Sequence, residues 1–386
     1  MIRTVSLDSS LVKYVSILLI NVFFLLALIG IVDLCIGFLN PNGESTISKT
    51  REYIRLRAFK PNTSVPIHMS KMSKTPDNFI FKEEIYTRLE VDSNGFISPS
   101  FVHDNPDVTI AFLGGSTTEC AVVDVHKRFP YAVGKILEAE DSELAINALN
   151  HGISGNNSMH SFNALVNKVM RFEPDIVILM HNFNDLTHLV HYGNFWNASG
   201  SHSLIVGRPD PMSSEWLIRV VKDFVKSMFP NIVSVLNSQR LDDFYDVREA
   251  EPPKLDVNTR EDILASFSKS LLAFIAVSRA QDVRPVLMTQ ASRFSDATLT
   301  PEFVRALEIH LKAKFSDYHA LYMEMNEVIR SVARQEGVTL IDLATEIPST
   351  DEYMYDVIHF TNKGSIAVAG VIAEELASEL QVLGLK

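Results

Sequence analysis

Residues 108–119 read Val-Thr-Ile-Ala-Phe-Leu-Gly-Gly-Ser-Thr-Thr-Glu, an apolar, β-branched run that ends in two glycines and a serine. The run predicts a buried strand over Val108–Leu113. The small residues after it predict a tight turn that projects the Ser116 hydroxyl above the end of the strand, with the first amides of the next helix facing an anion. A glycine-rich turn with a helix-capping serine gives the same pattern, so this stretch alone does not establish a catalytic serine.

The alternation of strand and helix continues to the C-terminus. Further strands are predicted at Leu144–Leu149, Ile176–Met180, Val286–Thr289 and Val338–Leu343. Helices are predicted at Phe129–Ala139, Met159–Met170, Ile263–Val277, Tyr318–Gln335 and Ser365–Leu380. Continuous apolar strands between helices predict an α/β fold with a parallel sheet covered on both faces. Ligands of such sheets bind outside the carboxyl ends of the strands, so functional residues should follow the strands directly.

Residue types that acyl transfer requires follow three of these strands. After the fifth strand, Asp356 and His359 are spaced so that the carboxylate can orient the imidazole, which a serine nucleophile needs as its base. After the second strand, the glycines of residues 150–156 can offer a free N–H to an oxyanion, and after the third strand the Asn184 amide can do the same. Each loop alone is explained by turn chemistry, but their combination indicates a serine hydrolase.

The order Ser, Gly, Asn and then Asp-x-x-His resembles the SGNH, or GDSL-type, hydrolase family. The resemblance covers residues 106–386, and four of the family's sequence blocks have a match, in order Gly114–Thr117, Gly155, Asn184, and Asp356 with His359. It implies a three-layer α/β/α sandwich, flavodoxin-like, with five parallel strands in the order 2-1-3-4-5.

The resemblance also implies the roles of the site residues. Ser116 would be the nucleophile and His359 the base, oriented by Asp356. The oxyanion hole would consist of the N–H groups of Ser116 and Gly155 and the side-chain amide of Asn184.

The chain departs from the family pattern at two positions. The first block usually reads Gly-Asp-Ser, and Gly115 replaces the acid here. The third block often has glycine two residues before its asparagine, where this chain has Asn182. Neither change removes a catalytic group. The Gly-Gly-Ser-Thr-Thr-Glu form looks like a variant of anchored bacterial members linked to surface glycans, which leaves the substrate more open than the mechanism.

The N-terminal segment is long and apolar. No charged residue occurs from Tyr14 to Val32, and about 20 apolar residues suffice to span a bilayer. We therefore expect a tail over residues 1–13 and a transmembrane anchor over residues 14–39. A cleaved signal peptide and a buried core helix are the alternatives, and no A-x-A-like cleavage site follows the segment.

Two criteria give opposite orientations for this segment in the membrane. More basic residues follow the segment than precede it, which favours a cytoplasmic C-terminus: Arg3 and Lys13 precede it, and Lys49, Arg51, Arg55 and Arg57 follow it. That rule weakens when a long domain follows, so we expect a periplasmic or otherwise extracytoplasmic catalytic domain.

Two regions do not fit the strand–helix alternation. Residues 40–105 are polar with scattered prolines and are expected to form a connector, with a short extended piece around Phe79–Tyr86. Residues 186–260, with an amphipathic helix expected at Trp216–Phe229, are too long for an ordinary connection. They form either a lid-like insertion that shapes specificity or a surface excursion.

The amino-acid composition excludes or disfavours several classes of protein. In 386 residues, 46% are hydrophobic and 21% charged, which excludes a disordered chain, and the net charge of −12 gives no support to a nucleic-acid partner. The only cysteines are Cys35 and Cys120, which excludes a disulfide framework and a four-cysteine zinc site. His181, His188 and His191 lack a metal-site pattern, so no metal or cofactor is expected.

Three functions are compatible with the sequence. The first is an anchored esterase that removes small acyl groups, acetyl foremost, from a glycan, a lipid or a small molecule. The second is an O-acyltransferase with the same triad, acting on a surface glycan. The third is a catalytically silent, anchored glycan-binding protein.

Overall fold

The computed structural model describes residues 9–39, 50–69, 85–196, 203–209, 228, 257–311 and 313–382. Its strands are β1 Thr50–Ile54, β2 Ser64–Met69, β3 Ile85–Glu90, β4 Val108–Gly114, β5 Ile146–Gly152, β6 Ile176–Met180, β7 Ile205–Pro209, β8 Arg284–Met288 and β9 Thr339–Ile341. Its α-helices are α1 Ser9–Leu39, α2 Ser116–Glu119, α3 Phe129–Glu140, α4 Ser158–Ala164, α5 Phe183–Tyr192, α6 Val257–Ala280, α7 Pro301–Leu311, α8 Phe315–Glu336, α9 Leu343–Glu346 and α10 Asn362–Val382.

The central sheet has five parallel strands in the order β5-β4-β6-β8-β9. This is the order 2-1-3-4-5 within the sheet, so the predicted fold class is confirmed. Gly114 at the end of β4 lies opposite Gly152 of β5 and Met180 of β6. Because these strands end in register, the loops that follow them begin side by side at one edge of the sheet.

Side chains of the sheet alternate between two apolar cores. Along β4, Ala111 and Leu113 face one core, whereas Ile110 and Phe112 face the other. The first core is closed mainly by α4, α5, α6 and α8, and the second by α3 and α10. Because successive residues of a strand point to opposite faces, a run that is apolar throughout requires helices on both sides.

Several elements differ in extent from the prediction. The strand Ile176–Met180 agrees residue for residue, but β5 begins and ends later than expected because its pairing with β4 continues to Gly152. The helix predicted over Met159–Met170 is α-helical only to Ala164 and then passes through a π-helical and a 3₁₀ turn. Helix α7 was not predicted.

Part of the predicted connector packs against the sheet. The Ile97 N–H donates to the Asn150 carbonyl at 3.0 Å, and the Phe96 side chain is fully buried in the first core. The buried Arg128 donates to the carbonyl oxygens of Arg88 and Ser98. Residues 52–69 and 85–105 therefore belong to the same compact unit as the sheet. Residues 79–84 and most of the predicted insertion lie outside the described residues, and so does its predicted helix at Trp216–Phe229 apart from Met228.

The described chain contains two apolar helices that bear on membrane association. Thr259–Ala280 of α6 is long and apolar enough to cross a bilayer, but it buries residues such as Phe267 and Phe274 in the first core. The other is α1, which covers the predicted anchor; its 31 residues span about 46 Å, and its side chains from Ser16 to Ile31 are exposed. Helix α1 lies in a unit separate from the one that holds the sheet.

Candidate active site

The turn after β4 brings Ser116 to the edge of the sheet. A Cβ atom at Gly114 would lie 2.0 Å from the Thr118 Oγ1, and one at Gly152 would lie 2.2 Å from the Glu119 nitrogen. Both positions require glycine because the short helix α2 folds back directly onto the ends of β4 and β5. This close packing places the serine beside the loop that follows β5.

Ser116, His359 and Asp356 form a continuous chain of hydrogen bonds. The Ser116 Oγ lies 2.7 Å from the His359 Nε2, and the His359 Nδ1 lies 2.6 Å from an Asp356 carboxylate oxygen. The second Asp356 oxygen accepts the backbone N–H groups of Ile358 at 2.9 Å and His359 at 2.7 Å. The carboxylate is thus held by its own loop, and it orients an imidazole that contacts the serine hydroxyl.

Electrostatics in this cluster favour a charged pair. Burial acts to raise the pKa of Asp356, but the charge of His359 and the hydrogen bonds to the carboxylate together hold that pKa below its usual value. Burial acts to lower the pKa of His359, but the charge and hydrogen bond of Asp356, aided by Glu119, raise it above its usual value. An imidazole in this field readily accepts a proton from an attacking hydroxyl.

Two further loops lie against the serine. Residues Ile153–Asn156 form a turn closed by a 3.0 Å hydrogen bond from the Asn156 N–H to the Ile153 carbonyl, with Gly155 at φ +75°. The Asn184 Nδ2 donates to the Asn156 carbonyl at 2.7 Å, which leaves its second hydrogen for another acceptor. A Cβ at Gly115 would lie 2.4 Å from that Asn184 nitrogen. The residues predicted for the oxyanion hole are therefore brought together.

Gln290, which the sequence did not single out, connects two of these loops. Its side-chain nitrogen donates to the Thr117 Oγ1 at 2.8 Å, and its side-chain oxygen accepts the Phe183 N–H at 2.9 Å. Its backbone is held by Asn326, which accepts the Gln290 N–H and donates to the Gln290 carbonyl. The available signal was position, because Gln290 comes just after β8 at the same edge of the sheet.

Arg293 connects the same segment to the acid–base loop. The backbone N–H of Arg293 donates to the Val357 carbonyl at 2.8 Å, and its buried guanidinium donates to the Met354 carbonyl at 3.2 Å. An ion pair with Asp296 at 2.6 Å holds the guanidinium in place. The segment after β8 thus supports both the nucleophile turn, through Gln290, and the loop that carries Asp356.

The family model described as the GDSL-like lipase/acylhydrolase family matches residues 112–365. The chain belongs to this family. The match confirms the resemblance that the sequence motifs indicated. As a GDSL-like acylhydrolase, the protein is an enzyme that acts on ester bonds.

Several solved structures are similar to this GDSL-like acylhydrolase, whereas no curated protein matches it. A single-residue variant of the acetyl xylan esterase Axe2 from Geobacillus stearothermophilus is 14% identical, with 70% of this chain and 95% of that chain covered and a TM-score of 0.42. A putative GDSL-like lipase from Parabacteroides merdae is 12% identical, with 72% and 98% covered and a TM-score of 0.44. A lipase/acylhydrolase from Enterococcus faecalis is 14% identical, with 70% and 96% covered and a TM-score of 0.38.

The side chains of Cys120, His188 and His191 have structural partners. Burial raises the pKa of the Cys120 thiol to about 12, and the thiol donates to the Thr117 carbonyl. His188 contacts the Asn194 carbonyl, and His191 contacts the Thr187 carbonyl. Across the described ranges, no group of three or more His, Cys, Asp or Glu side chains is placed to hold a metal ion.

Proposed function

We propose that this protein is a membrane-anchored serine esterase that removes small acyl groups, acetyl foremost, from a carbohydrate or a lipid. The observation that carries the proposal is the hydrogen-bonded chain from Ser116 through His359 to Asp356. The residue before the serine, Gly115, packs against the Asn184 amide and the Asn156 carbonyl, which belong to the two loops that carry the other proposed oxyanion donors.

The reaction follows from this geometry. Ser116 Oγ attacks the ester carbonyl carbon while its proton passes to His359 Nε2, and Asp356 stabilises the imidazolium. The carbonyl oxygen becomes an oxyanion, for which the N–H groups of Ser116 and Gly155 and the Asn184 amide are the proposed donors. Breaking the ester C–O bond releases the alcohol, which takes the proton from His359. Water then attacks the acyl-serine in the same way, which releases the carboxylic acid and restores Ser116.

Helix α1 supports the anchoring part of the proposal. Its side chains from Leu18 to Ile31 are apolar apart from Asn21 and exposed, and a helix that is apolar on all sides requires an apolar environment. We assign residues 14–39 to the bilayer, single-pass, and the catalytic domain to the extracytoplasmic side. Phosphatase activity of a C-terminal alkaline phosphatase fusion would support this orientation, and a silent fusion would contradict it.

The first experiment measures p-nitrophenyl acetate hydrolysis by the full-length protein in detergent, beside Ser116→Ala. We expect the variant to lose about 10,000-fold in kcat/KM while its thermal unfolding is unchanged, since the nucleophile is removed and the fold is not. Equal rates in the two folded proteins would refute the serine mechanism. Acetate transfer that requires an added glycan acceptor would favour the acyltransferase alternative instead.

A further inference from the structure

We propose that Arg57 is a positioning residue that holds and polarises the peptide between Ser154 and Gly155, whose N–H is the proposed oxyanion donor. This inference rests on the proposed function and deepens it. Arg57 lies 55 residues before the first residue that the family model matches, in the segment that the sequence assigned to a connector.

The shape of the turn makes this peptide the critical one. Ile153–Asn156 is a four-residue turn with glycine at its third position in the left-handed region, φ +75°. This is the pattern of a type II turn, in which the central peptide joins Ser154 to Gly155. Types I and II differ by a flip of that peptide, so the Gly155 N–H can serve an oxyanion in only one of the two states.

Arg57 binds the opposite end of the same peptide. Its Nη2 donates to the Ser154 carbonyl at 2.8 Å. The C=O and N–H of a trans peptide point in opposite directions, so a guanidinium on the oxygen fixes the direction of the Gly155 N–H. The hydrogen bond is charge-assisted and therefore stronger than one between neutral groups. A bond that polarises the carbonyl also strengthens the N–H of that peptide as a donor.

Glu119 holds the other side of Ser154. Its buried carboxylate accepts the Ser154 hydroxyl at 2.5 Å and also the Ser154 N–H. Because Glu119 lies three residues after Ser116, this bond ties the nucleophile turn to the oxyanion turn. Ser154 is thus held at its N–H by the nucleophile helix and at its carbonyl by the connector, which leaves the Gly155 N–H directed away from both.

The charges around Glu119 support this arrangement. Burial raises the pKa of Glu119, and the Ser154 hydrogen bonds oppose the rise. Burial lowers the pKa of Arg57, and Arg55 acts in the same direction while Glu119 opposes it. The charged and titratable groups that face Glu119 are contributed by the connector, the start of α3, the acid–base loop and α2: Arg57, Arg128, Tyr355, His359 and Cys120.

The test compares Arg57→Met, Arg57→Lys and Arg55→Met in the full-length protein in detergent, with p-nitrophenyl acetate as substrate. The Arg55 side chain is exposed, so Arg55→Met is a matched loss of a cation from the same segment. We expect Arg57→Met to lower kcat about 10- to 100-fold and to change KM less than about threefold, since an oxyanion donor acts in the transition state. Arg57→Lys should recover part of the loss, and Arg55→Met should match the wild type.

Other outcomes of these experiments would contradict the role of Arg57. A folded Arg57→Met protein with kcat within about twofold of wild type overturns the proposal, as does a loss shared by Arg55→Met. If Arg57→Met does not fold, a crystal structure of the wild-type Ser116 phosphonate adduct decides: a phosphonyl oxygen on the Gly155 N–H, with the Arg57 guanidinium still on the Ser154 carbonyl, supports the proposal, and the loss of the Arg57 contact in the adduct refutes it. A wild-type protein without Ser116-dependent turnover refutes the proposed function itself, whereas normal turnover in Arg57→Met refutes only the role of Arg57.

A second variant separates the two roles of Glu119. Glu119→Gln keeps an oxygen that can accept the Ser154 bonds but removes a negative charge that raises the pKa of His359. In the pH profile of kcat/KM, the acidic limb reports the loss of the proton from His359. This limb should therefore move to lower pH in Glu119→Gln. Glu119→Ala should shift the limb and also lose more plateau kcat, because the turn is released. Glu140→Gln, an exposed carboxyl, is the control; equal plateaus for the Gln and Ala variants would contradict the clamp.

Discussion

Two clusters of serine, histidine and aspartate among the described residues have the same composition but differ in burial and in hydrogen-bond geometry. Ser116, His359 and Asp356 lie at the edge of the sheet, and the His359 side chain keeps 23% of its surface exposed. In the second cluster, the Ser161 Oγ lies 2.7 Å from the His181 Nε2, and the His181 Nδ1 lies 3.5 Å from Asp185. Its three residues are almost completely buried.

The pKa shifts of the histidine and the aspartate are opposite in the two clusters. At the edge of the sheet, the pKa of Asp356 is lowered and that of His359 is raised, which favours a charged pair. In the buried cluster, burial raises the pKa of Asp185 to about 7 and lowers that of His181 to about 3. A distance of 3.5 Å is too long for a strong hydrogen bond, so Asp185 does not offset the cost of a buried imidazolium.

This difference shows what converts three residue types into a catalytic group. The second cluster has its serine and histidine in contact, but its imidazole cannot hold a proton near neutral pH and no substrate can reach it. Asp185 instead accepts the N–H and hydroxyl of Ser158, which joins α5 to α4. We interpret the buried cluster as a packing element and the exposed one as the catalytic site.

The largest expected effect comes from exchanging the two histidines for glutamine. His359→Gln should lower kcat/KM by about 10,000-fold, because the base that contacts Ser116 is lost. His181→Gln should keep turnover within a few-fold of wild type but lower the free energy of unfolding by about 1–3 kcal/mol, since buried polar partners lose their geometry. Steady-state kinetics and urea unfolding measure the two quantities; a large loss of activity in a stable His181→Gln protein would break the comparison.

A smaller effect is expected at Gln290, which supports the nucleophile turn of the exposed cluster. Gln290→Leu removes the bonds to Thr117 and to the Phe183 N–H, and each is worth about 1 kcal/mol, so kcat should fall about tenfold. Gln281→Leu, on the surface, should leave kcat unchanged. If both variants match the wild type, then Gln290 is not required to hold the nucleophile turn.

The last prediction concerns the pH dependence of stability. The Asp185 pKa is 3.8 in its ordinary state and about 7 in the folded protein, so its contribution favours folding at low pH and is lost as pH rises from about 4 to about 7. His181 acts in the opposite sense, because its contribution is present above pH 6.5 and is lost as pH falls towards about 3. Asp185→Asn should therefore gain stability relative to wild type as pH rises through this window. Urea unfolding at several pH values measures the difference, with Asp351→Asn as an exposed control; parallel curves would contradict the buried titration.

Residues that follow strands could be predicted from the sequence, and residues that support them could not. Ser116 and His359 stand out because strand periodicity places them at one edge and because acyl transfer requires their chemistry. Gln290 shares that position, but an amide in a turn has no distinctive chemistry. Arg57 meets Ser154 across 97 residues of sequence, and no periodic pattern encodes such a contact.

Local irregularities within a helix could not be predicted from the sequence either. The π-helical turn Leu165–Val169 has the same apolar spacing as an α-helix over so short a stretch, so periodicity does not reveal it. The buried cluster cannot be predicted from the sequence for a related reason. Ser161 and His181 belong to different elements, and only the packing of α4 against the end of β6 brings them together.

The contact between Gly115 and Asn184 restricts which residue can occupy position 115. Any side chain at position 115 would displace the Asn184 amide, and the aspartate that most family members carry there is no exception in this backbone. A change from this motif to Gly-Asp-Ser would thus require the Asn184 side chain to shift. We therefore expect the residue at position 115 and the orientation of the Asn184 amide to depend on each other.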